Sequence, residues 1–196
     1  KVISHFKYLE KKNFKFILNI VPSFNKLLIV YDINFKKNVE NLIQILNQIN
    51  DDYKKQSNQY IIPICYDEEY ALDYKKIEDA FSIDFTNFIK LHSSTIYHIF
   101  MLGFMPGLPF LGLLNINKPL PRLESPRISI PEGSVGVVDK LSVIYPNNSS
   151  GGWNLIGRAN FKLFNKKKNY PILSPGDKIK FQSISKKEFV KNEQYY

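Results

Sequence analysis

Ile96-Tyr97-His98-Ile99-Phe100-Met101-Leu102 runs directly into Gly103-Phe104-Met105-Pro106-Gly107-Leu108-Pro109-Phe110-Leu111-Gly112, and here the chain changes character. Ile96, His98, Phe100 and Leu102 alternate with Tyr97, Ile99 and Met101. Both faces are largely apolar, which predicts a strand buried on both sides, with His98 a hydrogen-bonded core histidine. The segment after it mixes prolines of fixed φ with permissive glycines and aromatics, a composition that makes a stiff apolar loop. Such a loop walls a pocket or tucks beneath a sheet; composition alone fits both.

The shift extends outward. No glycine precedes Gly103, eight of the nine lie between Gly103 and Gly157, and nine of the eleven prolines lie between Pro106 and Pro175. Beyond residue 100 short strands are expected at Arg127 to Ile130, Val135 to Val138, Ser142 to Tyr145, Trp153 to Arg158 and Lys178 to Ser183. Turns containing Gly, Pro or Asn separate them, as in a small barrel or sandwich. Before residue 100, Phe14 to Val21 and Leu27 to Tyr31 read as strands around a turn. Val39, Leu42, Ile43, Leu46 and Ile49 recur at helical spacing, and Tyr60 to Tyr66 reads as a third strand with Pro63 at an edge or bulge. Asp73 to Phe81 and Asp84 to His92 read as helices N-capped by their aspartates. This predicts two domains, 1–67 and 68–196, over the alternative of a single α+β domain with one loop-rich end.

The 196 residues hold no apolar run long enough for a membrane helix, and one cysteine, Cys65, excludes an internal disulfide or a Cys-pair zinc site. A reducing compartment follows most simply. The net charge of +9 could suggest nucleic acid, yet 24 of the 27 basic residues are lysines scattered in short runs such as Lys54-Lys55 and Lys166-Lys167-Lys168. Those runs read as solvated surface, so neither nucleic acid nor membrane is an expected partner. Lysine serves wherever a mobile point charge suffices. The three arginines, Arg122, Arg127 and Arg158, are therefore candidates for a planar, multi-donor task. Binding a carboxylate or phosphate and forming surface ion pairs both fit them.

Walker A, His-Glu-x-x-His and Gly-x-Ser-x-Gly motifs are absent from the sequence. Ser134, in Gly133-Ser134-Val135-Gly136, lacks the spacing of a nucleophile loop. Ser149-Ser150-Gly151-Gly152-Trp153 either presents backbone amides to an anion or forms a hairpin turn. His92 closes a helix just before a strand, a position from which it could titrate near neutrality.

The ordered set His92 to Tyr97, Gly103-Phe104-x-Pro106-Gly107-x-Pro109-x-Leu111, Pro121-Arg122, Pro126-Arg127, Pro131-x-Gly133-Ser134-Val135-Gly136, Ile144-Tyr145-Pro146, Gly151-Gly152-Trp153-x-Leu155-Ile156-Gly157-Arg158 and Pro175-Gly176-Asp177 resembles the family of 5-oxoprolinase B subunits. That family includes KipI-like kinase inhibitors and proteins labelled allophanate hydrolase subunit 1, and matches carboxyltransferase subdomains C and D of urea carboxylase. The resemblance implies an α+β architecture: a ferredoxin-like βαββαβ domain, here lacking its first strand, then a cyclophilin-like β-barrel. It implies a cytoplasmic B subunit of an ATP-dependent 5-oxoprolinase, working with a C subunit and an A subunit and inactive alone. ATP is then expected at a subunit interface, with no biotin site in this chain. The alternatives are a KipI-like inhibitor of a histidine kinase and a urea- or allophanate-type carboxyltransferase subunit. The implied catalytic group is Arg122, Arg127 and Arg158 with His92 as a proton-transfer or orienting residue. The implied pocket is Phe104, Pro106, Gly107, Pro109, Ser134, Tyr145, Gly151, Gly152 and Trp153, and no metal is expected. Two departures from the family pattern, Leu141-Ser142-Val143 and the Leu108-Pro109-Phe110 run, predict a drier pocket with fewer hydrogen-bonding groups.

Overall fold

The computed structural model describes residues 1–49, 57–165 and 167–193; Lys54-Lys55 and Lys166 of the lysine runs lie outside them. The chain forms two compact units, Lys1–Asn58 and Gln59–Tyr196.

In the first unit, helix α1 (Val2–Lys12) ends where Asn13 takes a left-handed conformation and returns its amide to the Leu9 carbonyl. An antiparallel hairpin follows, β1 (Ile17–Ser23) and β2 (Lys26–Tyr31), closed by the pair Ser23↔Lys26. After a 3₁₀ turn at Ile33–Phe35, helix α2 (Lys36–Gln48) buries Leu42 and Leu46 with Leu9 of α1, while Ile43 stays half exposed. The predicted amphipathic helix is present, with its apolar stripe narrower than the sequence suggests.

The second unit is built on a closed seven-stranded barrel. In chain order its main elements are β3 (Gln59–Cys65), α3 (Tyr74–Phe81), α4 (Phe85–Ser94), β4 (Ile96–Leu102), β5 (Pro109–Gly112), β6 (Arg127–Ile130), β7 (Ser134–Val138), β8 (Leu141–Ile144), β9 (Ser149–Gly151), β10 (Asn154–Ala159), β11 (Phe164–Asn165), β12 (Tyr170–Pro171), β13 (Lys178–Ile184) and α5 (Lys186–Glu193). The strand order around the barrel is β10-β3-β13-β4-β5-β8-β7; β6 with β9, and β11 with β12, form separate two-stranded ribbons.

One strand changes the domain division. The sequence assigns this strand, expected at Tyr60 to Tyr66 and formed by Gln59–Cys65, to the N-terminal domain, with the boundary at 67/68. It instead pairs in parallel with β13 along its whole length and in antiparallel fashion with β10, so the units part between Asn58 and Gln59. Ile62 and Ile64 point into the barrel with no exposed surface, and that burial fixes the strand there. Pro63 sits inside this central strand. Its carbonyl accepts the Asn160 amide from the β10 side, so its missing N–H faces the same side, where β10 pairing stops at Ala159↔Ile64.

Strand β4 also departs from its expected burial. A strand in a closed barrel has one interior face: Tyr97 and Ile99 fill it, whereas Ile96 is half exposed and His98 is exposed. His98 is therefore an outward-facing residue rather than a core histidine. The interior cluster joins Ile62, Ile64, Tyr97, Ile99, Val135, Val137, Ile156 and Phe181. A second cluster, of Leu108, Ile130, Val143, Tyr145, Trp153 and Leu155, packs elsewhere in the unit, so β7 is buried throughout. Leu108 seats the apolar loop in that second cluster.

Candidate functional site

The segment 120–127 is stitched to the barrel by backbone contacts. Leu120 accepts the Asp139 amide at 2.7 Å, Leu123 donates to the Gly152 carbonyl at 2.8 Å, and Asn154 Nδ2 donates to the Pro121 carbonyl at 2.9 Å. Beside it opens a groove of about 630 Å³, lined in part by Asp73, Lys76, Arg122, Glu124, Arg127 and Asn154.

Arg127 and Asp73 form its floor. The carboxylate is nearly buried: Oδ1 accepts Arg127 Nη2 at 2.9 Å and Oδ2 accepts the Leu155 amide at 2.7 Å, while the Asp73 amide donates to the Leu155 carbonyl. The expected cap of α3 is not made. Asp73 holds the cap position but forms no side-chain cap bond, having spent both oxygens on Arg127 and Leu155. Asp84 does cap α4, accepting the Asn87 amide at 2.9 Å. Arg127 Nη1 is buried without a hydrogen-bond partner. Arg122 is exposed, with its guanidinium 5.9 Å from the Trp153 ring centroid.

Behind the groove wall, Tyr145 lies within the electrostatic reach of both arginines. Burial raises its phenol pKa above the usual value, against the opposing pull of Arg122, the Trp153 amide and Arg127, so the phenol keeps its proton. Gly151 must be glycine: a Cβ there would collide with the Tyr145 hydroxyl and lie 2.8 Å from Ile130 Cδ1. The Ser149–Gly151 segment is strand β9, pairing Gly151 with Arg127 of the distant β6, so the glycine run is not the expected hairpin turn but the end of a ribbon strand. Arg122, Arg127, Tyr145, Gly151, Gly152 and Trp153 thus come together.

The other candidates do not join them. Phe104 is 72% exposed at the tip of its loop, Pro106 is exposed, and Gly107 and Pro109 are buried at its base; none lines the groove. Ser134 is buried in β7, paired in register with Arg158. Arg158 donates Nε–H to the Glu132 carbonyl at 2.9 Å, and its guanidinium lies about 6 Å from the Tyr70 and Phe189 rings.

His92 is in the barrel interior. It is fully buried, stacked on Phe181 with ring centroids 4.6 Å apart, and hydrogen-bonded through Nδ1 to the Tyr66 hydroxyl at 2.7 Å and through Nε2 to Ser142 Oγ at 3.1 Å. Burial lowers its pKa to about 3, so it is a neutral core residue, not a group titrating near neutrality. A neutral imidazole needs one donor and one acceptor, and both hydroxyl partners can serve either way. Ser142, expected to leave the pocket drier, is instead a buried polar partner of His92. Among the described residues no group of three or more His, Cys, Asp or Glu could hold a metal ion, and no helix is long and apolar enough to cross a membrane.

Comparison with known proteins identifies the family. The 5-oxoprolinase B subunit of Bacillus subtilis is 33% identical, over 93% of this chain and 82% of that protein. The crystal structure of TTHA0988 superposes with a TM-score of 0.81 at 26% identity, covering 94% of this chain and 36% of that one. Urea carboxylase from Kluyveromyces lactis shares the fold, with a TM-score of 0.73 at 20% identity over 97% of this chain and 20% of its own. The pattern of the family described as carboxyltransferase domain, subdomain C and D, matches residues 1–174. With that match over most of its length and a relative 33% identical along nearly all of it, the protein belongs to the carboxyltransferase subdomain C and D family.

Proposed function

We infer that this chain is the cytoplasmic B subunit of an ATP-dependent 5-oxoprolinase, which with a C subunit and an A subunit opens 5-oxo-L-proline to L-glutamate. The observation that carries this reading is the likeness along nearly the whole chain to a relative named as that component of the enzyme. The groove supplies chemistry that suits it. Arg127, braced by Asp73, and Arg122, resting on Trp153, offer guanidinium donors for a carboxylate against a partly apolar wall, where such contacts are stronger than in water.

The groove does not suit a triphosphate. Asp73 already matches Arg127, and its lining sets three cations against two carboxylates. No phosphoryl step is assigned to these residues, and nucleotide is placed at an interface with another subunit. His92, sealed in the core, transfers no proton in this scheme, and Arg158 stays outside it.

Reconstitution tests the reading. The chain alone should turn over no 5-oxoproline; mixed with C- and A-type subunits and ATP, it should yield glutamate and ADP. Turnover by the chain alone refutes the shared assembly. An inactive mixture, with inhibition of a histidine kinase or carboxyl transfer from a biotinylated partner in its place, refutes the 5-oxoprolinase assignment.

A further inference from the structure

Two polar groups at the groove have no protein partner. Arg127 Nη1 is one: that atom is itself buried, while the side chain as a whole is 26% exposed. Asn154 provides the other. Its Nδ2 donates to two carbonyls, Pro121 at 2.9 Å and Val137 at 3.1 Å. Only the nitrogen end of an amide can do that, so the orientation is fixed and both N–H bonds are used. Oδ1 is left as an acceptor on a groove-lining residue, with no donor among the described residues. One side of the groove therefore lacks an acceptor and the other lacks an N–H.

Charge narrows the ligand further. Three cations against two carboxylates leave one uncompensated positive charge, enough for a single negative charge and too little for a polyphosphate. An unpaired buried donor is costly, and only a ligand oxygen that reaches Arg127 Nη1 recovers that cost.

We propose that the groove binds a singly charged carboxylate bearing an adjacent N–H, with the carboxylate on Arg127 and Arg122 and the N–H on Asn154 Oδ1, and that nucleotide binds elsewhere. A five-membered lactam acid carries both groups; the identity of that ring rests on the function proposed above. Asn154 is thereby a specificity residue, rejecting carboxylates that cannot donate beside the acid.

Trp153, the only tryptophan, lies directly behind the groove and reports on it by fluorescence. The probes are 5-oxo-L-proline, the lactone acid with ring oxygen in place of N–H, the neutral carboxamide of 5-oxo-L-proline, and a non-hydrolysable ATP analogue. They are titrated into the chain and into its complex with C- and A-type subunits. The lactam acid should change the Trp153 signal saturably, the lactone acid and the carboxamide should bind at least tenfold more weakly, and the nucleotide should leave the signal unchanged. Arg127→Lys, with its melting temperature checked, should weaken the lactam acid at least tenfold. Because the ligand changes leave the protein intact, they read the contacts without a folding artefact. Equal binding of lactone and lactam, saturation by nucleotide, or no response in either preparation overturns the proposal. A complex that turns over 5-oxoproline with an unchanged KM for Arg127→Lys overturns the groove assignment and leaves the 5-oxoprolinase reading standing. A complex inactive on 5-oxoproline, whose B chain still binds N-acyl amino acids with the same dependence on carboxylate and N–H, does the reverse.

Discussion

Acid should destabilise this protein through His92, and replacing that one residue should remove a measurable part of the effect. In the unfolded chain the imidazole titrates at its ordinary 6.5; in the folded protein burial lowers it to about 3. Between those values the unfolded chain takes up a proton that the folded protein refuses, so stability from this residue is full above pH 6.5 and is lost as pH falls toward 3. At about 1.4 kcal/mol per pH unit, the loss reaches on the order of 5 kcal/mol by pH 3, of which about 2 kcal/mol falls between pH 7 and pH 5. That upper interval is the useful one, because ordinary carboxylates have barely begun to protonate there. His92→Gln keeps a donor and an acceptor for Tyr66 and Ser142 but does not titrate. It should be less stable at neutral pH, having lost the stacking on Phe181, yet flatter with pH. The assay is urea unfolding at several pH values from 7 to 5, comparing the change in free energy for wild type and variant. The outward-facing His98, whose pKa is also lowered, by partial burial and by Lys178, is common to both proteins and cancels in the difference. Parallel profiles would refute the argument, since they require His92 to have the same pKa in the folded and unfolded states.

Two further expectations concern the groove. Asp73→Ala leaves Arg127 and the Leu155 amide without their acceptor; because Arg127 is partly exposed, the cost should lie below the roughly 3–5 kcal/mol of a fully buried broken pair, at about 2–3 kcal/mol. Urea unfolding of Asp73→Ala measures it, and wild-type stability would mean the pair contributes nothing. Gly151→Ala should destabilise by about 1–3 kcal/mol through overlap with Tyr145 and Ile130. Gly152→Ala should melt as wild type, its Cβ finding no neighbour nearer than 3.7 Å; equal melting of the two alanine variants would refute the close packing at Gly151.

The strands beyond residue 100 were legible because turn residues and short apolar runs are local signals. Arg127–Ile130, Ser134–Val138, Leu141–Ile144, Asn154–Ala159 and Lys178–Ile184 each lie within about two residues of their expected places. The meeting of Arg122 and Arg127 with Tyr145 and the Gly151-Gly152-Trp153 run was legible through the motif order and the scarcity of arginine. What was not legible depends on distant partners. Gln59–Cys65 has the pattern of any buried strand, and nothing within it names β13 as its neighbour. Asp73 and Asp84 both precede helices, and only the remote Arg127 and Leu155 turn the first from a cap into a brace. His92 ends a helix in a way that suits either a site or a core. Its enclosure by Tyr66, Ser142 and Phe181 follows from barrel closure, which no window around residue 92 contains. Arg158 shares the rarity of the other arginines, yet strand geometry turns it toward Tyr70 and Phe189.

The pairing of β3 with β13 also orders events during synthesis. Gln59 and Lys178, which face each other in register, are about 120 residues apart. At roughly 5–20 residues per second on the ribosome, β3 emerges on the order of ten seconds before its longest partner exists. Over that interval Ile62 and Ile64 have no barrel interior to enter, while the hairpin and helices of residues 1–48 have already been made in full. Ring closure therefore waits until β13 has been made, and a nascent chain stopped short of β13 presents an open, apolar sheet to whatever chaperones attend it.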